Sequence, residues 1–336
     1  MISQLISLYT EKFIRAGKVS KTLYRFDAVI GFWGAPNIER NLLLPEYSPD
    51  EKVVKHNDDG NRDIPFQLKG GEQSVVCIGG SHTWGGGVNA EQRYSDILRE
   101  KTGRNVVNLG HASLGIDQVC LAILEKSKKF NPRVIVIEQY PWAVIRILNN
   151  YVNGYLKPVF SLDQSGSLKL KKVPNYARFK LFRQMLGSFY SYKKELNEFR
   201  GGIEIVNNYD PMTDPIFLYW KCGHYDYLYA LLEKILIVIR DHCLQNNIQL
   251  IFALGAIYQQ FQKASPSDLV DYDLPRKRLM AILDEIGVAY VDMTDPMLNE
   301  HSDESPVIFK DGHINEKGNK VFAEILQGKM KERGWL

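Results

Sequence analysis

Two short polar segments, far apart in the chain, contain residue types that could together perform nucleophilic chemistry. Ser81 lies in the segment SVVCIGGSHTWGGG, directly after an apolar run, and Asp311 and His313 lie in the segment FKDGHINEKG. A serine hydroxyl becomes an effective nucleophile only when a base takes its proton, and that base needs a third group to hold its tautomer. These residue types predict a Ser–His–Asp site for acyl transfer, provided that the fold brings the two segments together.

Other functions of the glycine-rich stretch fit its spacing less well. Gly80 and Gly85 have the spacing of the two glycines of a phosphate-binding loop, but Gly86 and Gly87 stand where that loop needs Lys and Ser or Thr. The nucleophile elbow G-x-S-x-G fails as well, because Thr83 occupies the position of its last glycine. A dinucleotide-binding fingerprint is also absent, so the stretch is more typical of a turn that presents a nucleophile than of a nucleotide-binding loop.

The elements that must position these residues alternate between strands and helices from Ser74 onward. Such alternation predicts a mostly parallel sheet covered by helices on both faces, a three-layer α/β/α fold. Valine and isoleucine favour a buried strand, and a parallel sheet carries its ligands at the carboxyl ends of the strands. The predicted strands are residues 74–79, 105–109, the run RVIVIEQ after Pro132, 249–254 and 289–292. The predicted helices are residues 92–101, 116–129, 225–246, 275–286 and 316–333.

The remaining segments are predicted to decorate this sheet. Residues 1–70 are expected to form an N-terminal extension packed on a main domain of residues 71–336, with an insertion at about 143–222. Within the insertion, KPVFSLDQSGSLKLKK predicts a β-hairpin. Residues 169–194 contain eight Lys or Arg and no Asp or Glu, which is compatible with a solvated basic face or with contact to an anionic donor or a membrane surface.

Composition restricts the partners and the location. The 42 Lys and Arg nearly balance the 39 Asp and Glu, which argues against nucleic acid as the main partner. The four cysteines lack metal-like spacing and are expected to be buried reduced thiols. The first eighteen residues predict an amphipathic helix and not a signal peptide, and no run approaches the roughly eighteen apolar residues of a membrane span. A cytoplasmic location, with peripheral membrane association left open, is the expectation.

Three motifs, in order, resemble those of the SGNH, or GDSL-type, hydrolases, and the resemblance covers roughly residues 52–336. The segment G-G-S-H-T-W-G matches the nucleophile block G-D-S-x-T-x-G except that Gly80 replaces its aspartate. Asn108-Leu109-Gly110 fits the second block, and Gly115 follows it as the usual downstream glycine. Asp311-Gly312-His313 matches the last block, which supplies the acid and the base.

The resemblance implies a flavodoxin-like fold and a serine esterase of bacterial type that needs no cofactor and no metal. It implies that Ser81 is the nucleophile, His313 the base and Asp311 its orienting acid, with the backbone amides of Ser81 and Gly110 in the oxyanion hole. The third block normally ends in an asparagine that donates to the oxyanion, and here Trp142 occupies its place. The Trp142 indole or the Gln139 amide is a candidate substitute, because either group can donate a hydrogen bond; packing or pocket lining is the other interpretation of Trp142.

Substrate and reaction outcome stay open at this point. The resemblance favours short acyl or O-acetyl esters, including those of glycans, hydrolysed through an acyl-enzyme on Ser81. An O-acyltransferase with the same triad and a weakly active or non-catalytic glycan-binding protein are the alternatives. His82 and His111, next to proposed oxyanion contributors, are expected to point away from the chemistry, Asp292 and Asp295 could line the cleft without an assigned role, and the oligomeric state is not indicated.

Overall fold

The computed structural model describes residues 23–42, 50–66, 71–152, 155–179, 218–219, 221, 225–256, 258–261 and 270–336. The predicted N-terminal helix, Cys222 and the basic segment beyond Phe179 lie outside these residues. Among the described residues, no helix combines the length and the apolar character needed to cross a bilayer.

A five-stranded sheet with every neighbouring pair parallel forms the centre of the fold. Its strands are β1 (Ser74–Ile78), β2 (Asn105–Asn108), β3 (Pro132–Gln139), β4 (Gln249–Leu254) and β5 (Ala289–Asp292). Their order across the sheet is β2-β1-β3-β4-β5, the flavodoxin-like order. The predicted three-layer fold class is therefore confirmed, and the five predicted strands are observed to within one residue at each end.

Helices cover both faces of this sheet. They are α1 (Ser81–Trp84), α2 (Tyr94–Thr102), α3 (Ile116–Lys126), α4 (Asp226–Gln245), α5 (Tyr258–Phe261), α6 (Leu274–Glu285), α7 (Thr294–Glu300) and α8 (Glu316–Glu332). Side chains of α3, α4 and α6 join the core on one face, and those of α2, α7 and α8 join the core on the other.

The strands read as continuous apolar runs because each face of the sheet has its own core. In β1, Val76 and Ile78 belong to one cluster, whereas Val75 and Cys77 belong to the other. Successive side chains of a strand point to opposite faces, so a strand covered on both sides needs apolar residues at every position. The cysteine prediction is confirmed for Cys77, Cys120 and Cys243, which are free and buried.

Short elements surround the three layers. Antiparallel ribbons pair Tyr24–Asp27 with Gly31–Gly34, Glu39–Leu42 with Lys52–Lys55, Tyr151–Val152 with Tyr155–Leu156, and Val159–Leu162 with Leu168–Lys171. The last ribbon is the hairpin that the sequence predicts. Turns of 3₁₀-helix occupy Ala90–Gln92, Ser127–Phe130, Pro141–Leu148 and Asn175–Arg178.

One predicted helix ends earlier than its pattern suggests. The α-helical part of the segment predicted at 116–129 stops at Lys126, because Ser127 Oγ donates to Ile123 O over 2.6 Å and the chain tightens into a 3₁₀ turn. Asn131 then adopts a left-handed φ of 45° and directs the chain into β3. The division into an N-terminal extension and a main domain at residue 70 stays a prediction.

Candidate active site

The order of the strands predicts where the site lies. Strand β1 has β2 on one side and β3 on the other, so the connections after β1 and β3 diverge to opposite faces and leave a crevice between them. In open α/β sheets, ligands bind at this switch point, outside the carboxyl ends of the strands. Ser81 follows β1, and the 3₁₀ segment Pro141–Leu148 follows β3.

Ser81 is the first residue of α1, a helix of four residues that begins directly after Gly79 and Gly80. A Cβ atom added to Gly79 would lie 2.6 Å from Glu138 Oε2 and 2.5 Å from Thr83 Oγ1, so a larger residue there would push the turn apart. Gly85 ends α1 with a left-handed φ of 87°. The glycines therefore allow a sharp turn that presents Ser81 at the strand end.

The structure brings Ser81, His313 and Asp311 into one hydrogen-bonded chain. Ser81 Oγ lies 2.7 Å from His313 Nε2, and His313 Nδ1 lies 2.7 Å from Asp311 Oδ2. The other oxygen of Asp311 accepts the His313 backbone N–H over 3.1 Å, which holds the carboxylate in place. An ionised carboxylate only accepts, so the proton of the neutral imidazole resides on Nδ1 and Nε2 faces the serine as an acceptor.

A buried carboxylate, Glu138 near the end of β3, accepts hydrogen bonds from residues 79–85, the turn that carries Ser81 (the nucleophile turn). Its Oε2 accepts the Gly80 N–H over 3.1 Å and the Thr83 hydroxyl over 2.9 Å. Burial raises the pKa of Glu138, and the hydrogen bonds from Thr83 and Gly80 oppose that shift. Glu138 is not among the residues predicted from the sequence, although a charged residue inside the apolar run RVIVIEQ was an available signal.

His82 lies against the imidazole of His313, contrary to the expectation that it points away from the proposed chemistry. Its ring stacks between His313, at 4.5 Å between centroids, and Tyr140, at 3.7 Å, with interplanar angles below 20°. Burial lowers the pKa of His82 well below its ordinary value, with a further contribution from His313. A neutral ring in this stack holds the plane of the base without placing a second charge beside it.

The Gly110 amide, predicted to contribute to the oxyanion hole, makes a hydrogen bond within the second block. The Gly110 N–H donates to Asn108 Oδ1 over 2.9 Å, and Asn108 Nδ2 donates to Thr83 O over 2.6 Å. A backbone N–H has one proton to donate, so the Gly110 amide is occupied in this structure instead of open to an oxyanion. Gly110 is needed for a different reason, since an added Cβ would lie 2.5 Å from Trp84 N. The block packs against the turn after the nucleophile.

The two suggested substitutes for the third-block asparagine are also engaged with neighbouring groups. Gln139 is buried, and its side-chain nitrogen donates to Tyr140 O over 2.8 Å. Trp142 is half-buried, and its ring faces the guanidinium of Arg146, whose Cζ lies 4.8 Å from the ring centroid. Arg146 is a residue of the crevice that the sequence analysis missed, because one arginine in a short connection carries no spacing signal.

Three other candidates lie away from the triad. His111 is buried, with its ring 4.0 Å from that of Trp33. Asp292 forms an ion pair with Arg276 and accepts the Thr294 N–H, and Asp295 is exposed at the start of α7. Within the part of the chain that the structure describes, no group of three or more His, Cys, Asp or Glu side chains could hold a metal ion.

Arg62, in the segment before β1, binds the end of the nucleophile turn. The buried guanidinium of Arg62 donates to the carbonyl oxygens of Trp84, Gly85 and Val88 over 3.1, 2.6 and 2.8 Å. Burial lowers the pKa of Arg62 to about 9, which leaves it charged at neutral pH. Trp84 is the last residue of α1, and Gly85 and Val88 follow it. Such carbonyls have no partner within so short a helix, so Arg62 caps the end of the turn that begins with Ser81.

Comparison with known proteins found similar solved structures, among them several at 10–14% identity. They include a member of the lipolytic protein G-D-S-L family from Veillonella parvula (13% identity, 77% of this chain and 98% of that chain, TM-score 0.42). TesA (10%, 79% and 100%, 0.44) and an acetyl xylan esterase (12%, 76% and 98%, 0.42) are also among them. No family model and no curated protein matches the chain. The G-D-S-L family named for the Veillonella parvula structure is the one that the sequence motifs resemble.

Proposed function

We propose that this chain, which has the fold of the SGNH hydrolases and their motifs in the same order, is a serine esterase that forms an acyl-enzyme on Ser81. The observation that carries the proposal is the chain of hydrogen bonds from Ser81 through His313 to Asp311, each 2.7 Å long. Nothing in the sequence requires these residues to meet, because 232 positions separate the serine from the histidine.

The reaction follows from the protonation states that these contacts impose. Ser81 Oγ attacks the ester carbonyl carbon while His313 Nε2 takes the hydroxyl proton, and the carbonyl electron pair moves onto the oxygen. Asp311 stabilises the imidazolium that forms. His313 then gives the proton to the departing alcohol, and the C–O bond of the ester breaks to leave the acyl group on Ser81.

Water resolves the acyl-enzyme by the same steps in reverse order. His313 takes a proton from the attacking water, and Ser81 leaves with that proton when the second tetrahedral intermediate collapses. The Ser81 N–H, as the first amide of α1, has no acceptor within the helix and is proposed to face the oxyanion. Glu138, which accepts the Gly80 N–H, positions the turn that carries this amide.

The primary test is hydrolysis of p-nitrophenyl acetate, together with labelling by a fluorophosphonate probe. We expect Ser81→Ala to abolish labelling and to reduce kcat by at least about a thousandfold, because no other group supplies the nucleophile. Ser165→Ala, which alters an exposed serine of the 163–167 turn, is the matched control and retains both activities. Equal turnover by wild type and Ser81→Ala would overturn the assignment.

Short acyl esters, including O-acetyl groups on glycans, are the proposed substrates on the strength of the family resemblance. A series of p-nitrophenyl esters from acetate to decanoate measures this preference, and kcat/KM that rises with chain length would contradict it. Release of free acetate from an acetylated glycan, compared with transfer of acetyl to an added glycan acceptor, distinguishes an esterase from an O-acyltransferase. Glycan binding that survives Ser81→Ala without any turnover would indicate a non-catalytic protein.

A further inference from the structure

Arg146 crosses the crevice at the carboxyl end of the sheet. It lies in the 3₁₀ segment Pro141–Leu148, which follows β3 and begins with Pro141 at its first turn. The side chain is half-buried, whereas the neighbours Ile145 and Ile147 are fully buried and anchor the segment in the core. The position of Arg146 is therefore set by packing on both sides of it.

Its contacts reach both of the loops that flank the crevice. On the β2 side, Arg146 Nη1 donates to Leu114 O over 3.2 Å, and a Cβ added to Gly115 would lie 3.1 Å from Arg146 Cβ. On the β1 side, a Cβ added to Gly80 would lie 3.5 Å from Arg146 Nη1. The guanidinium thus extends from the loop after β2 to the residue directly before Ser81.

The base approaches the nucleophile turn at a different glycine. A Cβ added to Gly86 would lie 3.3 Å from His313 Cδ2, so the imidazole lies over Gly86 while the guanidinium lies over Gly80. Ser81 stands between these two glycines in sequence, at the point of the turn. A carbonyl carbon attacked by Ser81 therefore has the base near Gly86 and a fixed cation near Gly80.

Two features keep the guanidinium in place and leave room beside it. The Trp142 ring faces it at 4.8 Å, a distance typical of a cation–π contact. Gly80 has no side chain, so the space beside Arg146 Nη1, which would lie 3.5 Å from an added Cβ, is not filled by residue 80 itself. The charge of Arg146 also acts on the buried Glu138 carboxylate, whose Oε2 would lie 4.0 Å from the same added Cβ.

We propose that Arg146 is a catalytic residue that donates to the oxyanion, in place of the side-chain amide of the third block; the proposal rests on the esterase function above. As Ser81 attacks, the carbonyl π electrons move onto oxygen, and an Arg146 N–H stabilises that negative charge without transferring its proton. When the tetrahedral intermediate collapses, the electrons return to the carbonyl. The guanidinium stays charged throughout, because an arginine side chain does not give up its proton in a reaction of this kind.

The first test compares kcat and KM for p-nitrophenyl acetate in Arg146→Met and in wild type. Because the interaction forms only in the transition state, kcat is expected to fall by about 10²–10³ while KM changes less than about threefold. Arg240→Met is the matched control: Arg240 on α4 is also half-buried and donates to a backbone carbonyl, Ile286 O, over 3.1 Å. It is expected to leave kcat unchanged.

The second test uses phenylboronic acid, which forms a tetrahedral anionic adduct on a serine oxygen and so reproduces the intermediate. Its inhibition constant is expected to rise in Arg146→Met by a factor close to the loss in kcat. Arg146→Lys, which keeps a charge without the planar donor pair, is expected to fall between wild type and Arg146→Met. Thermal unfolding of each variant separates a catalytic loss from a loss of folded protein, and Arg146→Lys decides the question if Arg146→Met does not fold.

The results of these tests distinguish a failure of the Arg146 role from a failure of the esterase function. Loss of kcat together with weaker boronate inhibition supports the oxyanion role. Unchanged kcat in Arg146→Met, a rise in KM alone, or unchanged boronate inhibition overturns it, while labelling of Ser81 by the fluorophosphonate leaves the esterase assignment standing. If Ser81→Ala keeps full activity, the proposed function itself fails.

Discussion

At the scale of single residues, the triad is supported by contacts that fix the orientation of the base. Asp311 holds one edge of the His313 ring through Nδ1, and His82 covers a face of the same ring. His82 in turn rests on Tyr140, and its Nδ1 faces the Ile314 N–H at 3.4 Å. The base is therefore restrained both in its plane and by stacking, although Asp311 and His313 lie in a loop.

This stack predicts that His82 positions the base through its ring and not through its charge. We expect His82→Phe, which keeps a flat ring, to retain kcat within about threefold, and His82→Ala to lower kcat by about ten- to a hundredfold through a misoriented His313. The measurement is kcat and KM for p-nitrophenyl acetate, with thermal unfolding as the check on folding. Equal losses in both variants would contradict a stacking role.

At the scale of elements, a buried ion pair joins the insertion to the helix that starts beside the crevice. Lys157 follows the strand Tyr155–Leu156, and its Nζ contacts Asp117 Oδ2 at the start of α3, with both side chains almost completely buried. Within the described part of the chain, the other carboxylate oxygen, Asp117 Oδ1, is buried and accepts no hydrogen bond. Each charge is therefore stabilised in the interior mainly by the other.

Removal of one partner should be costly for that reason. We expect Lys157→Met to lower the free energy of unfolding by about 3–5 kcal/mol, because it leaves the Asp117 carboxylate buried without its counter-charge. Urea unfolding measures the loss. The double variant Asp117→Leu with Lys157→Met should recover at least half of it, and Lys169→Met, which breaks the exposed pair with Asp163, should cost below about 1 kcal/mol. A small loss of unfolding free energy in Lys157→Met would contradict a stabilising role of this ion pair.

At the scale of the whole molecule, buried histidines couple stability to pH. Burial lowers the pKa of His56 to about 4, and the charge of Arg62 adds to that effect against the opposing hydrogen bond to Ala35 O. Burial also lowers the pKa values of His82 and His111 well below the ordinary value of 6.5. The folded protein therefore keeps these rings neutral at a pH where the unfolded chain takes up protons.

The sign of the effect follows from this difference. A folded pKa below the unfolded one gives a contribution that is fully present above pH 6.5 and is lost as the pH falls toward 4. We expect wild type to lose about 2 kcal/mol more unfolding free energy than His56→Gln between about pH 7 and pH 5. Urea unfolding at both pH values measures this, and the comparison of variants cancels the opposite contributions of Glu138, Asp63 and Asp117, whose pKa values burial raises. Parallel pH profiles would contradict the prediction.

The sequence by itself determined the strands and the fold class, and it selected Ser81, Asp311 and His313 as the predicted reactive residues. Buried parallel strands need apolar residues on both faces, and that requirement explains the continuous apolar runs of β1 and β3 in the sequence. The glycine-flanked Ser81 and the Asp311–His313 pair are recognisable because each chemistry needs those residue types a few positions apart. Interactions between residues that are close in sequence were sufficient to predict these features.

Only the tertiary structure decided which groups surround the nucleophile. Glu138 contacts the turn that carries Ser81, His82 stacks on the neighbouring imidazole, and Arg146 extends across the crevice. These contacts form when separate strand ends meet at the switch point, and no spacing in the sequence encodes those distances. The hydrogen bond from the Gly110 N–H to Asn108 Oδ1 was not predicted for the same reason, because it depends on the orientation of the asparagine side chain. Residue types and short spacings therefore predict the reactive groups. The charges and hydrogen bonds around those groups, which determine their reactivity, depend on how the loops pack.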